Sequence, residues 1–279
     1  MNKHNLPFVS IIIPCRNEEK FIGRCLDSII AQDYPKDKLE ILVIDGMSED
    51  GTREIIKNFQ ISNSNFQIKL IDNPKKFTNF AFNIGIKTAR GEIIMLMGAH
   101  ARYERDYISK CVRYLRECNA DNVGGIVIAL PCKNTIGAKA IALSLSCRFG
   151  VGDAYYQTGY SGKPRWVDTV FGGCYKREVF DRAGLFNENL IRSQDMEFNL
   201  RLKKSGGKIL LVPDIVSYYY PKSNLKDFFI HNFEDGIWAI YPLKFVKVRF
   251  KLRHYIPFIF VLSLLGMGVF GIFFPFFFW

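Results

Sequence analysis

The sequence predicts an α/β fold: a mostly parallel central sheet with helices on both faces, followed by a C-terminal amphipathic helix and one membrane segment. Three observations carry this. Short, continuous apolar runs rich in β-branched residues alternate with segments whose apolar residues recur every three or four positions. Polar residues capable of chemistry cluster just beyond the apolar runs, where open parallel sheets bind ligands. The last 25 residues, Tyr255–Trp279, hold no charged side chain.

The elements follow in order. Phe8–Ile13 (FVSIII) is apolar without alternation, as suits a parallel strand covered on both faces, and Pro14 ends it. Phe21, Ile22, Cys25, Leu26, Ile29 and Ile30 repeat at helical spacing, with Asn17 placed to cap the helix. Leu39–Ile44 is the second strand and Asp45 sits at its C-terminal end. Asp50 and Thr52 open a helix through Phe59; Gln67–Ile71 is a third strand; Thr78–Ala89 is helical and Gly91 ends it. Glu92–Met97 is a fourth strand, followed at once by Gly98-Ala99-His100. Asp106–Cys118 is a helix and Asn122–Ala129 a strand. Residues 131–164 form an irregular excursion, partly helical at Ile136–Cys147. Trp166–Gly173 returns to a strand and a glycine turn, Lys176–Ala183 is a helix, Asp195 opens a helix through Lys204, and Lys208–Val212 is a late strand. In Ser223–Tyr241, Leu225, Phe228, Phe229, Phe233, Ile237 and Ile240 fall at helical spacing; a helix lying on a membrane surface and an ordinary core-packing helix both fit. Three parts result: 1–222, a catalytic domain; 223–254, an interfacial helix and basic flank; and 255–279, a transmembrane segment.

Composition narrows the function classes. Hydrophobic residues at 48% with 23% charged exclude intrinsic disorder, and ordinary glycine and proline usage excludes collagen-like chains. The net charge of +11 invites a nucleic-acid reading, but five of those charges (Lys244, Lys247, Arg249, Lys251, Arg253) sit together before the uncharged tail, and no nucleic-acid-binding motif accompanies them. As a helix the tail would span about 37 Å, enough for a bilayer core, although Pro257 and Pro275 leave a re-entrant hairpin open. Cationic flanks are retained on the cytoplasmic side, so the expected location is the cell membrane with the catalytic domain cytoplasmic. Seven cysteines without a C-x-x-C pair and no signal peptide read as reduced thiols, mostly small core residues.

Six stretches carry the chemistry: VSIIIPCRNEE (9–19), ILVIDGMSEDGT (41–52), NPKKFTNFAFNIGIKTARGEII (73–94), GAHARYERDYI (98–108), VDTVFGGCYKREVF (167–180) and RSQDMEFNLRLKKSGGKILLVPDIVSYYYP (192–221). In content and order they resemble the family 2 inverting glycosyltransferases of GT-A fold, and within them the membrane-associated succinoglycan-biosynthesis type. The resemblance implies transfer of a sugar from a nucleoside diphosphate, most often UDP, to an acceptor hydroxyl. It implies that Pro14, Arg16, Glu18, Asp45, Asn83 and Gly85 approach the nucleotide, and that Asp168, Gly172 and Gly173 approach the sugar. The family often has two consecutive acids where this chain has Asp45-Gly46. Gly98-Ala99-His100 stands at the metal motif, with glycine in place of the first acid, so His100 would be the ligand of a divalent cation, Mn²⁺ or Mg²⁺. An imidazole nitrogen suits Mn²⁺ better than Mg²⁺. Asp195 aligns with the general base, and a carboxylate at a helix N-terminus is held ionised and oriented. Glu197 pairs with Arg201 one turn on. Arg165 and Lys176 are expected at solvated surface, and Tyr218-Tyr219-Tyr220 fits an acceptor groove or a packing role.

No Gln-x-x-Arg-Trp follows Asp195, so addition of one sugar is expected rather than processive polymerisation. A membrane tail points to a lipid-linked or glycan acceptor. Two alternatives stay open: a polyprenyl-phosphate glycosyltransferase, and a catalytically degenerate scaffold that binds nucleotide sugar, which Gly98 favours.

Overall fold

The computed structural model describes residues 6–151, 154–158, 162–222, 224–240, 244–245, 259–260 and 262–267. In chain order the elements are β1 (Val9–Cys15), α1 (Ile22–Ile30), β2 (Leu39–Asp45), α2 (Thr52–Ser62), β3 (Gln67–Asp72), α3 (Thr78–Thr88), β4 (Ile93–Leu96), β5 (Ala101–Tyr103), α4 (Tyr107–Glu117), β6 (Asn122–Ala129), α5 (Ile136–Ser144), α6 (Arg148–Val151), β7 (Arg165–Val167), β8 (Cys174–Lys176), α7 (Glu178–Ala183), α8 (Gln194–Lys204), β9 (Ile209–Tyr219) and α9 (Leu225–Ile240).

Among the described residues nine strands form one sheet, ordered β3-β2-β1-β4-β8-β6-β9-β5, with β7 pairing on β9. The first four are mutually parallel. Beyond β4 the expected parallel pattern gives way to a mixed one. β8 runs antiparallel to both β4 and β6, β5 and β7 run antiparallel to β9, and only β6 and β9 are parallel. β5 and β8 escape the sequence pattern because three residues are too few to show a period. β9 is longer than expected and continues through Pro213. The register against β6 slips between Gly124 and Ile126, so the proline falls in a bulge and breaks no ladder hydrogen bond.

β1 and β2 are almost wholly buried. Ile11, Ile13, Ile41 and Val43 pack on one face with α1 and α4 residues such as Leu26, Ile29, Ile108 and Val112. Ile12, Leu42 and Ile94 pack on the other with Ala81, Phe180, Phe186 and Phe198. The rings of Phe186 and Phe198 stack at 4.5 Å, which locks α8 beneath the sheet. All seven cysteines are free, and Cys15, Cys25, Cys111 and Cys174 are buried.

Two compact units divide the chain, Met1–Val246 and Lys247–Trp279. Among the described residues no helix is long and apolar enough to cross a membrane. Most of the segment expected to do so, 255–279, lies outside the described residues.

Gly85 shows how tightly α3 meets the sheet. A Cβ there would lie 2.4 Å from Cγ2 of Ile12, which is fully buried and cannot yield. The overlap, about 1–3 kcal/mol, outweighs the roughly 1 kcal/mol that alanine gains over glycine inside a helix. Gly85→Ala is therefore expected to lower the midpoint of urea unfolding, and an unchanged midpoint would show that α3 can shift.

Candidate active site

The sheet order reverses direction between β1 and β4, since β2 and β3 lie on one side and β4 on the other. Loops after parallel strands separate at such a switch and leave a crevice. The loop after β1 carries the exposed Arg16 and the part-buried Glu18. It is laced to the loop after β2: Asn17 N donates to Ser48 Oγ (2.9 Å), Glu49 N to Asn17 Oδ1 (2.9 Å) and Glu18 N to Thr52 Oγ1 (2.7 Å). Asn17 thus ties two loops together and does not cap α1, which has no side-chain cap. Its φ of 55° turns the backbone back toward β2.

Across the crevice, β4 leads straight into Gly98-Ala99-His100. His100 Nδ1 lies 3.1 Å from Glu18 Oε1. A carboxylate only accepts, so Nδ1 carries the proton and Nε2 keeps its lone pair in the neutral ring, as carboxylates commonly arrange for a ligating histidine. Tyr219, on β9, meets the His100 ring edge-on at 5.1 Å, and Phe171 meets Tyr219 at 6.1 Å. Gly172 (φ +65°) and Gly173 (φ +124°) follow Phe171, and a Cβ on Gly172 would lie 2.5 Å from the Leu96 carbonyl oxygen. The glycine pair therefore passes against the end of β4, beside the His100 loop.

Two expected nucleotide residues have other partners. Asp45 is fully buried; its Oδ1 accepts from Ser48 Oγ (2.5 Å), and its Oδ2 from Ser48 N (3.0 Å) and Arg53 Nη1 (2.5 Å). Arg53 also reaches Asp72 at the end of β3 (2.8 Å). Both carboxylate oxygens are thus taken by its own turn. Asn83 donates to the Phe186 carbonyl (2.9 Å) and Glu188 Oε1 (3.0 Å) and accepts from Phe186 N (2.9 Å), which fixes the loop before α8. Asp168 pairs with Lys203, Arg165 lies over the Tyr155 ring at 4.2 Å, and Lys176 bonds Asn119.

Asp195 stands in the first turn of α8. It is exposed to solvent, yet the protein around it partly desolvates the carboxylate. This desolvation raises its carboxyl pKa; hydrogen bonds from the backbone N–H groups of Met196 and Asp195 itself pull the other way, and the charge of Asp235 adds to the rise. Asp235 also acts on Tyr219, whose hydroxyl burial pushes up to about 12. Asp235 is therefore within electrostatic reach both of Asp195 and of the tyrosine that packs on His100. Glu197 makes the expected paired contact with Arg201 (2.5 and 2.8 Å), whose guanidinium also caps the carbonyls of Ala183 and Leu185.

Among the described residues no group of three or more His, Cys, Asp or Glu comes together to hold a metal. His100 offers one imidazole nitrogen, Nε2, which Mn²⁺ accepts, while Glu18 bonds Nδ1 and orients the ring. That donor fits a cation sharing its shell with phosphate oxygens, and not one caged by protein alone.

The sequence model of Glycosyl transferase family 2 matches residues 10–183. The chain belongs to this family. It is 34% identical to a dolichyl N-acetyl-alpha-D-glucosaminyl phosphate 3-beta-D-2,3-diacetamido-2,3-dideoxy-beta-D-glucuronosyltransferase of Methanococcus voltae, over 95% of this chain and 82% of that one. To the succinoglycan biosynthesis protein ExoA of Rhizobium meliloti it is 26% identical, over 86% and 76%. Among solved structures it is similar to the mannosyltransferase PcManGT from Pyrobaculum calidifontis in complex with GDP-Man and Mn²⁺ (TM-score 0.68, 22% identity, 91% of this chain and 68% of that one). It is also similar to S. aureus TarS 1-349 in complex with UDP-GlcNAc (TM-score 0.61, 17% identity, 83% and 66%). At these identities the structural likeness establishes the GT-A type of fold, and the family match establishes a glycosyltransferase.

Sequence inspection missed Arg53 and Arg192. The signal for Arg53 was its place in the first turn of the helix after Asp45; Arg192 had its signal in the acidic pair Glu234-Asp235. Arg53→Met would leave the buried Asp45 carboxylate without its cation, at a cost of about 3 kcal/mol. Chemical denaturation should show that loss, and a change under about 0.5 kcal/mol would mean that Ser48 alone suffices.

Proposed function

We propose that this glycosyltransferase moves one sugar, with inversion, from a nucleoside-diphosphate sugar to a hydroxyl of a lipid-linked glycan during polysaccharide or glycan assembly. The observation that carries the reading is Asp195: a solvent-accessible carboxylate at the start of a helix, with its pKa raised by partial desolvation. A raised pKa makes a carboxylate a stronger base. In this proposal Asp195 takes the acceptor proton while the oxygen attacks the anomeric carbon from the face opposite the diphosphate, so one displacement inverts the centre. Arg16, Glu18 and the backbone after Pro14 line the nucleotide side, and the Gly172-Gly173 turn lets the donor sugar approach the backbone. Asp45 and Asn83 support that wall from behind.

A divalent cation, Mn²⁺ ahead of Mg²⁺, would neutralise charge on the leaving diphosphate, with His100 its protein ligand oriented by Glu18. UDP is the proposed nucleotide, supported by the UDP-GlcNAc complex of the TarS neighbour, against which the GDP-Man complex of PcManGT sets a direct competitor. A lipid-linked acceptor is supported by the name of the Methanococcus voltae relative, which extends a dolichyl phosphate sugar. Attachment to the cell membrane with the catalytic unit cytoplasmic belongs to the same proposal and rests on the basic run and the uncharged Tyr255–Trp279.

Asp195→Asn should reduce transfer by about 10²–10⁴-fold with UDP affinity nearly unchanged; near-normal transfer would overturn the base assignment. The same substitution has a stability signature. A pKa raised in the folded state means that folding favours the protonated carboxyl, and that ionisation above it is a cost absent at lower pH. Asp195→Asn should therefore raise the melting temperature at neutral pH, and the gain should vanish as the pH falls to the ordinary carboxylate range.

A Cβ on Gly98 would meet nothing nearer than Phe171 Cζ at 3.8 Å, so an acid fits there. Titration of UDP with Mn²⁺ or with chelator should show His100→Ala weakening the metal-dependent part about ten-fold and Gly98→Asp strengthening it. Equal affinity with and without chelator in the native chain would remove the cation. Nucleotide binding without turnover on any UDP-, GDP- or dTDP-sugar would favour the scaffold reading.

A further inference from the structure

Helix α9 has two unlike long faces. Inward lie the part-buried Phe228, His231, Glu234 and Trp238, at three- and four-residue steps. Outward lie Leu225, Phe229 and Phe233, each four residues from the last and each at least 60% exposed, with Ile230 at the margin. The rings of Phe229 and Phe233 stack on one another in solvent. Lys226 rises among them, and Lys222 precedes the helix; both are exposed.

Arg192 grips the inner face. Arg192 donates from Nη1 to Asp235 Oδ1 (2.7 Å) and from Nη2 to Glu234. Its Nη1 also lies 3.2 Å from His231 Nδ1. Because a guanidinium only donates, Nδ1 accepts, and Nε2–H then faces Asp235 Oδ2 at 3.3 Å. Burial pushes the His231 pKa down, which keeps the ring in that neutral form. Arg192 is three residues before Asp195, and Ser193 between them holds a left-handed φ of 56° that turns the chain into α8. Nothing but this turn separates the clamp on α9 from the proposed base.

We propose that α9 is a membrane-operated latch: its outer face docks on an anionic lipid surface, and Arg192, gripped by Glu234 and Asp235, transmits the position of α9 to the turn that aims Asp195. This rests on the transferase reading for the role of Asp195, but not for the docking or the mechanical link. Lipid is the occupant because the exposed apolar stripe carries a cation within it, has another beside it, and is followed in sequence by Lys244, Lys247, Arg249, Lys251 and Arg253 in a chain of net charge +11. Arg192 is a positioning residue and takes no proton.

Hydrogen–deuterium exchange of the full chain tests the latch without needing a donor or an acceptor. The chain is reconstituted in phosphatidylcholine alone and in phosphatidylcholine with ~30% phosphatidylglycerol. In the anionic bilayer, peptides over 225–240 and over 190–197 should both slow by about five-fold or more. Phe229→Ser with Phe233→Ser should abolish both changes. Glu234→Gln with Asp235→Asn should keep the first and lose the second. Slowing at 225–240 with none at 190–197 in the native chain would overturn the latch. Indifference of 225–240 to lipid charge would overturn the docking and leave the stripe to residues 247–279 or a second copy. The exchange result stands even if no sugar donor turns over, so failure of the latch and failure of the transferase reading are separate outcomes. Where turnover is found, the native chain should gain rate in the anionic bilayer, and the Glu234→Gln, Asp235→Asn variant should not.

Discussion

Everything in the site hangs from one strand. β1 is hydrogen-bonded on both edges, to β2 and β4, and covered on both faces. A strand so enclosed cannot slip without moving Ile11, Ile12 and Ile13 into the wrong layers, because a one-residue shift exchanges the faces. Its register therefore fixes where the loops after β1, β2 and β4 begin. Those loops must part company at the end of the sheet, since β2 and β4 leave in opposite directions from the strand between them. The crevice follows from the pairing order, and the Glu18–His100 contact spans it across 82 residues of sequence.

The sequence displayed the elements better than the side-chain partners. The apolar runs, their order and the helical spacing made β1 to β4 and α1 to α4 legible, because each element is long enough to show a period. Glu197 and Arg201 were legible because a four-residue step on a helix is a contact by geometry alone. Asp45 is the opposite case. A carboxylate at the end of a strand can face a ligand or its own turn, and its partner, Arg53, lies eight residues away through a turn whose shape the sequence does not display. Asn83 is further from reach: its partners at Phe186 and Glu188 come from more than a hundred residues on, in a loop with no period. In the second half of the sheet β5 and β8 were obscured by their own brevity, since each has three residues.

The environment of Asp195 sets opposing demands on one carboxylate. Desolvation favours the neutral acid; two backbone N–H groups at the helix start favour the anion; Asp235 opposes the anion again. The balance falls on the side of a raised pKa, and a base needs that balance: too much stabilisation of the anion would leave a weak base, and too much desolvation a protonated one. Ser193 adds a second cost, a non-glycine residue held at positive φ, of order 1 kcal/mol or more. Surrounding structure has to over-determine such a turn for it to persist. Below it Phe198 is stacked between Phe180 and Phe186; above it Arg192 is held by three groups of α9. The strained turn is thus clamped by an apolar contact that is insensitive to surroundings and by a polar one on a helix whose other face is open. The second clamp sits on a helix whose outer face is exposed, which is why α9, and not the core beneath α8, is the element through which a surface would act on the proposed base.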